Sequence, residues 1–142
     1  MNQGLNYYVP KEGATILKNV ISIPSNSDVY RAYFQSNEFT VLSDAYAIRW
    51  KDKSIHISQN QYLFMVMCIN KFTDLPIYSY KNKLGSWNVV KNMYVLLPIR
   101  ENRIDFNFME LFINAIKKLT LKNVAEYSDN RINATKEVIK RS

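Results

Sequence analysis

A chain of 142 residues is the length of one typical domain, and 47% hydrophobic residues with only three glycines exclude a disordered segment. Nineteen Lys and Arg against twelve Asp and Glu give a formal charge of +7, which favours an anionic partner such as nucleic acid. The single Cys68 excludes a disulfide framework, and with no secretory leader or membrane-length apolar stretch in the sequence we expect a cytoplasmic protein.

The first half of the chain predicts mostly β structure. Short runs rich in β-branched and aromatic residues alternate with polar turn residues, of which 24–28 (Pro-Ser-Asn-Ser-Asp) is the clearest group. The predicted strands cover residues 14–23, 29–35, 39–42, 46–50 and 54–57.

The segment 62–69 is apolar at every position, so its periodicity cannot distinguish a helix from a buried strand. Gln59 and Asn60 can cap a helix, and two methionines with Leu and Phe have good helix propensity. We therefore predict a buried helix of about a dozen residues.

The second half predicts one more buried strand over 93–99 and then a long helical region. Asp105 stands where an N-cap would precede a helix over 106–119. Beyond it, a weak coiled-coil seam steps by four and three residues on a polar helix. Its positions are Leu121, Ala125, Ser128, Ile132, Thr135 and Ile139. The predicted fold class is α+β, with a twisted, mostly antiparallel sheet, flanking helices and a projecting C-terminal helix.

Residues with the spacing of catalytic or metal sites are missing from the sequence. His56 is the only histidine, and no acidic residue has a lysine two positions later, as a common type of metal-dependent nuclease requires. Gly4, Gly13 and Gly85 form no phosphate-binding loop. We expect no enzyme activity, cofactor or metal; the alternative is a small enzyme using His56 with Asp52 or Asp44.

Two polar loops, around 25–27 and over 78–87, combine residue types that contact DNA. Asn, Ser and Arg read base edges, whereas Lys and Ser bind phosphates. The predicted DNA-binding residues are Ser25, Asn26, Ser27, Arg31, Tyr78, Tyr80, Lys81, Lys83 and Trp87. From composition alone, two solvated loops with aromatic residues at their bases explain the pattern equally well.

Three motifs carry a resemblance to a known family. The segment 20–35 with Leu42-Ser43-Asp44 gives a strand, a turn, a strand and a Ser-Asp pair, although Asn26-Ser27 replace the usual glycine. Tyr78-Ser79-Tyr80 followed by Lys81 is similar to an aromatic-Ser-Tyr-Gly-Arg stretch. Leu97-Pro98-Ile99 followed by Ile104-Asp105-Phe106 is the most specific of the three. In this order they resemble the target-recognition domain of the specificity subunits of type I restriction-modification systems and of related fused type II systems.

The resemblance implies sequence-specific binding of double-stranded DNA by residues 1–119, with 120–142 as the start of a helical spacer. A complete domain of this kind begins further upstream, so the chain is expected to lack its N-terminal part. The implied partners are methyltransferase and restriction subunits, a second specificity chain or a homodimer, without a membrane. The alternative function is a protein-interaction module whose C-terminal helix, through Leu121, Ala125, Ile132 and Ile139, dimerises or docks a methyltransferase subunit.

Overall fold

The computed structural model describes residues 8–25, 31–40, 45–73 and 87–141 of the chain. Three strands come first and are followed by helix α1, the single-turn helix α2, a short hairpin and helix α3. The bounds are β1 Val20–Pro24, β2 Tyr33–Gln35, β3 Ala45–Ile48, α1 Gln59–Thr73, α2 Trp87–Val90, β4 Ile99–Arg100, β5 Arg103–Ile104 and α3 Phe106–Arg141. The fold is α+β, as the sequence predicts.

The strands β1, β2 and β3 form an antiparallel sheet in the order β2-β1-β3. Ile21 lies opposite Phe34 on one side and Ile48 on the other, and Pro24 lies opposite Ala45. The strand predicted over 14–23 starts only at Val20. Asn19, the residue before it, has a left-handed backbone (φ 52°) and interrupts the strand, so the pairing of Leu17 with Phe39 is an isolated bridge. Asn tolerates this conformation better than most residues.

The strand predicted over 54–57 is wrong. The Asp52 side chain accepts hydrogen bonds from the backbone N–H of Ser54 (2.9 Å) and from its hydroxyl (2.7 Å), which bends the chain into an Asx turn. Ile57 then enters the core, and Ser58 caps α1. Ser58 Oγ accepts from Gln61 N–H (3.2 Å), while Gln61 Oε1 accepts from Ser58 N–H (2.9 Å). This is a capping box, so Ser58 has the role that the sequence analysis gave to residues 59 and 60.

The buried helix predicted at 62–69 is confirmed, and it is the centre of the core. Tyr62, Phe64 and Met65 are buried, the Tyr62 ring stacks on Phe34 of β2 at 5.5 Å, and the Phe64 ring meets Phe112 of α3 edge-on at 5.6 Å. One side of α1 therefore covers the sheet and another packs on α3.

The buried strand predicted over 93–99 is wrong. Residues 93–98 are irregular, and the side chains of Tyr94 and Leu96 are 90% and 92% exposed. Regular pairing begins only at β4 and β5, which are joined by Glu101 and Asn102 with φ of 50° and 61°. Two consecutive left-handed residues fit a type I′ hairpin.

Helix α3 begins as predicted, with Asp105 Oδ1 accepting from Phe108 N–H at 2.8 Å. Its 36 residues form one continuous helix, about 54 Å long at 1.5 Å per residue. Met109 and Ile113 are buried against α1, whereas every residue from 115 to 137 is exposed. The N-terminal third of α3 thus belongs to the core, and the remainder leaves it. Within the described residues, no helix combines the length and apolarity needed to cross a membrane.

A polar network fixes α3 to the first turn of α1. Ser58 Oγ donates to one oxygen of Glu110, and Asn60 Nδ2 donates to the other at 2.5 Å and to Asn114 Oδ1 at 2.9 Å. Lys117 Nζ donates to Asn60 Oδ1 at 2.5 Å. The Ser58 hydrogen bond is the main cause of a lowered pKa of the Glu110 carboxyl, against an opposing contribution from desolvation.

At the other end of α1, Asn70 acts as a peptide-like partner for the chain just before β2. Its Oδ1 accepts from Ala32 N–H at 2.7 Å and its Nδ2 donates to Ala32 C=O at 3.1 Å. Ala32 is 1% exposed, so water cannot replace these bonds. This pair sets where β2 begins relative to α1.

We predict that Asn70→Ala lowers the free energy of unfolding by about 1 to 3 kcal/mol, because two buried backbone groups lose their partners. The midpoint of urea unfolding measures the change. Asn130→Ala makes the same substitution at an exposed position of α3 and should stay within about 0.5 kcal/mol of the parent chain. Equal shifts in the two variants would contradict the assignment.

We also predict a pH dependence from Glu110. Because its pKa in the folded chain is lower than the ordinary value of 4.5, its stabilising contribution is complete above 4.5 and disappears as the pH falls through the folded value. The free energy of unfolding of Glu110→Gln should therefore be lower than that of the parent chain at neutral pH, and the two values should converge in acid. Glu126→Gln, on the exposed part of α3, is the matched control and should show no such convergence.

Candidate nucleic-acid interface

One end of the three-stranded sheet gathers the described residues that flank the predicted DNA loops. Pro24 and Ala45 are paired at this end, which we call the loop end. Ser25 follows Pro24 directly, and Arg31 precedes Ala32 at the start of β2. Both borders of the segment 26–30 are therefore at the loop end.

The second predicted loop ends at the same place. Trp87 is the first residue of α2, and its ring lies 5.5 Å from the ring of Tyr46 on β3, at an interplanar angle of 56°. Tyr46 is paired with Ile23 across the sheet, two residues before Ser25. The Trp87 side chain is 47% exposed, so this contact leaves about half of it accessible to a ligand.

Helix α1 also ends at the loop end, because Asn70 in its last turn holds Ala32. Residue 73, the last of α1, is the border of the segment 74–86, whose other border is Trp87. Lys71 is exposed and follows Asn70, so it is a second cation in the part of the chain that borders the loop end. Sequence reasoning missed Lys71, because its place depends on the contact between residues 32 and 70, which no local pattern reveals.

The structure thus relates three of the predicted DNA-binding residues, Ser25, Arg31 and Trp87, to one another. The other six lie outside the described residues. They are Asn26, Ser27, Tyr78, Tyr80, Lys81 and Lys83.

The predicted partner-helix residues share one exposed stripe of α3. Leu121 and Ile139 are each 69% exposed, Ile132 is 48% exposed, and Ala125 is exposed between them. Lys117, the last α3 residue in the polar network, contacts Asn60 in the first turn of α1, so α3 leaves the core beside the start of α1, whereas the loop end is at the end of α1. The stripe therefore lies away from the loop end.

Of the residues of the enzyme alternative, the structure describes His56 and Asp52. His56 is exposed, the Asp52 carboxylate accepts its two described hydrogen bonds from Ser54, and Asp44 is outside the described residues. Partial burial raises the pKa of the Cys68 thiol, which disfavours the nucleophilic thiolate. Among the described residues, no group of three or more His, Cys, Asp and Glu side chains is arranged to hold a metal ion.

Comparison of the chain with known protein families, with curated proteins and with solved structures gives no match.

Proposed function

We propose that the chain binds double-stranded DNA in a sequence-dependent way, as the target-recognition part of a restriction-modification specificity subunit. The observation that carries the proposal is the convergence of the two loop borders at one end of the sheet. Loops that meet at one end of a rigid scaffold can contact one ligand together. The resemblance of the three sequence motifs adds the expectation that this ligand is DNA.

The chemistry of the loop end supports a division of roles. Arg31 and Lys71 provide positive charge for phosphates, and the Ser25 hydroxyl is a donor and acceptor suited to a base edge. Ala32, the neighbour of Arg31, exchanges two hydrogen bonds with the Asn70 side chain, so the backbone that carries Arg31 is fixed before DNA binds. Such preorganisation reduces the ordering cost of binding.

The first test measures DNA affinity of the full chain at several salt concentrations after selection from a pool of random duplexes. The logarithm of affinity should fall with the logarithm of salt concentration by about 0.9 per phosphate contacted. The double variant Arg31→Gln, Lys71→Gln should reduce the magnitude of that slope by about 2 and should lower the affinity for all DNA sequences alike. Ser25→Ala should instead alter the enriched motif.

The control for this test is Lys18→Gln with Lys53→Gln, which removes the same charge outside the loop end. Lys18 adjoins the bridge of Leu17 to Phe39, and Lys53 follows the far end of β3. An equal reduction of the salt slope in both double variants would show that the phosphate contacts are not at the loop end. Failure of the parent chain to bind any duplex at low salt would overturn the proposal.

A second candidate function is protein interaction through α3, with a second copy of the chain or with a methyltransferase subunit. It is favoured by the exposure of every residue from 115 to 137, because most helices in proteins are stabilised by packing of an apolar face, and among the described residues this part of α3 packs no apolar face on another element. The stripe from Leu121 to Ile139 has the spacing of a coiled-coil seam. Since this stripe lies away from the loop end, the two functions are compatible in one chain.

We predict that Leu121→Asp with Ile132→Asp abolishes self-association of the full chain, because each carboxylate would be buried in the seam. Sedimentation velocity over a range of concentrations measures the mass. Asn123→Asp with Asn130→Asp adds the same charge on the opposite side of α3 and should leave the mass unchanged. A parent chain that stays monomeric at high concentration would rule out pairing with a second copy and leave the methyltransferase subunit as the partner to test.

A further inference from the structure

An apolar groove lies between the helix-covered side of the sheet and the irregular segment after α2. Its volume is about 800 Å³, within the range of sites that bind small organic molecules. The floor combines residues of β1, β3 and α1, and the wall is formed by alternate residues of the segment 93–97. The apolar residues of the floor are Ile21, Ile48, Trp50, Tyr62, Met65 and Ile69.

The wall of the groove, residues 93–97, packs on the floor through side chains and not through backbone hydrogen bonds. Met93, Val95 and Leu97 face the groove, while Tyr94 and Leu96 between them are almost fully exposed. Among the described residues, no backbone hydrogen bond ties 94–97 to a neighbouring element. A wall of this kind can adjust to the width of a ligand with little loss of hydrogen bonding.

The polar residues of the groove are mainly cationic. Arg49, Lys51 and Lys91 line it and are exposed, and Asp52 is the one carboxylate among the lining residues. The hydrogen bonds from Ser54 already engage Asp52 and lower its pKa. Three cations against one engaged carboxylate leave the mouth of the groove positive.

We propose that this groove binds a small amphipathic carboxylate, a molecule with an aliphatic or aromatic body and a single anionic end. The body would cover the apolar floor, where Tyr62 and Met65 are already packed, and the carboxylate would meet the cations at the mouth. Charge-assisted hydrogen bonds from Arg and Lys to a carboxylate are about twice as strong as neutral ones, which favours an anion over a neutral molecule of equal shape. Two of these cations, Arg49 and Lys51, follow the far end of β3 and so lie away from the loop end.

Calorimetric titration of the full chain with hexanoate, octanoate and decanoate tests the proposal. Affinity should rise with chain length by up to about fourfold per CH₂ buried, the factor that corresponds to transfer of a methylene from water. 1-Octanol has the apolar body without the charge and should bind about tenfold more weakly than octanoate. Absence of binding at millimolar octanoate and decanoate would overturn the proposal.

Two variants locate the binding site. Val95→Trp fills the groove from a side chain that is 37% exposed, so it should abolish octanoate binding with little change in the urea midpoint. The triple variant Arg49→Gln, Lys51→Gln, Lys91→Gln leaves the apolar lining intact. It should lower the affinity for octanoate by about tenfold and leave the affinity for octanol unchanged. Because these three side chains are exposed, the triple variant tests the site even where Val95→Trp perturbs folding.

The matched control removes three exposed lysines of α3, as Lys118→Gln, Lys122→Gln and Lys136→Gln, for the same change in net charge. It should bind octanoate as the parent does. Equal weakening in both triple variants would show a general charge effect and overturn the site, as would undiminished octanoate binding by a folded Val95→Trp chain.

Discussion

Helix α1 packs against the sheet and against α3 at the same time, and the rest of the structure depends on this constraint. The sheet packs on one side of it through the Tyr62 and Phe34 rings, and α3 packs on another through Phe64 and Phe112. A helix covered on two sides cannot have the single apolar stripe of a surface helix. This explains the apolar run over 62–69, in which Met67 alone is exposed (41%), and the polar anchors lie only near the two ends of the helix.

The polar anchors at the two ends of α1 position different parts of the molecule. Near the start of α1, Asn60 joins Glu110, Asn114 and Lys117, which fixes the direction in which α3 leaves the core. Near the end of α1, Asn70 fixes the start of β2 and so the loop end. The proposed DNA contacts and the exposed stripe of α3 are therefore held at opposite ends of the same helix.

Much of this architecture could be predicted from the sequence, where the signal is local. A dense apolar run indicated α1, Asp105 indicated the start of α3, and the four-three spacing after Leu119 indicated a helix that continues. Local signals failed where a competing interaction decided the outcome. The Asx turn at Asp52 prevented the strand over 54–57, and the apolar residues 93–98 had no strand to pair with among the described residues. Convergence at the loop end depends on register and on the Asn70 contact, which joins residues 38 positions apart.

The continuity of α3 also fixes the rotational phase of its exposed stripe relative to the core. At 3.6 residues per turn, the eight residues from buried Ile113 to exposed Leu121 rotate the side chain by about 80° around the helix axis. A helix lying on the stripe would therefore approach α3 from a side adjacent to the one that α1 covers. Because no break in α3 allows this angle to change, the approach direction of any such helix is set by the packing of Met109 and Ile113.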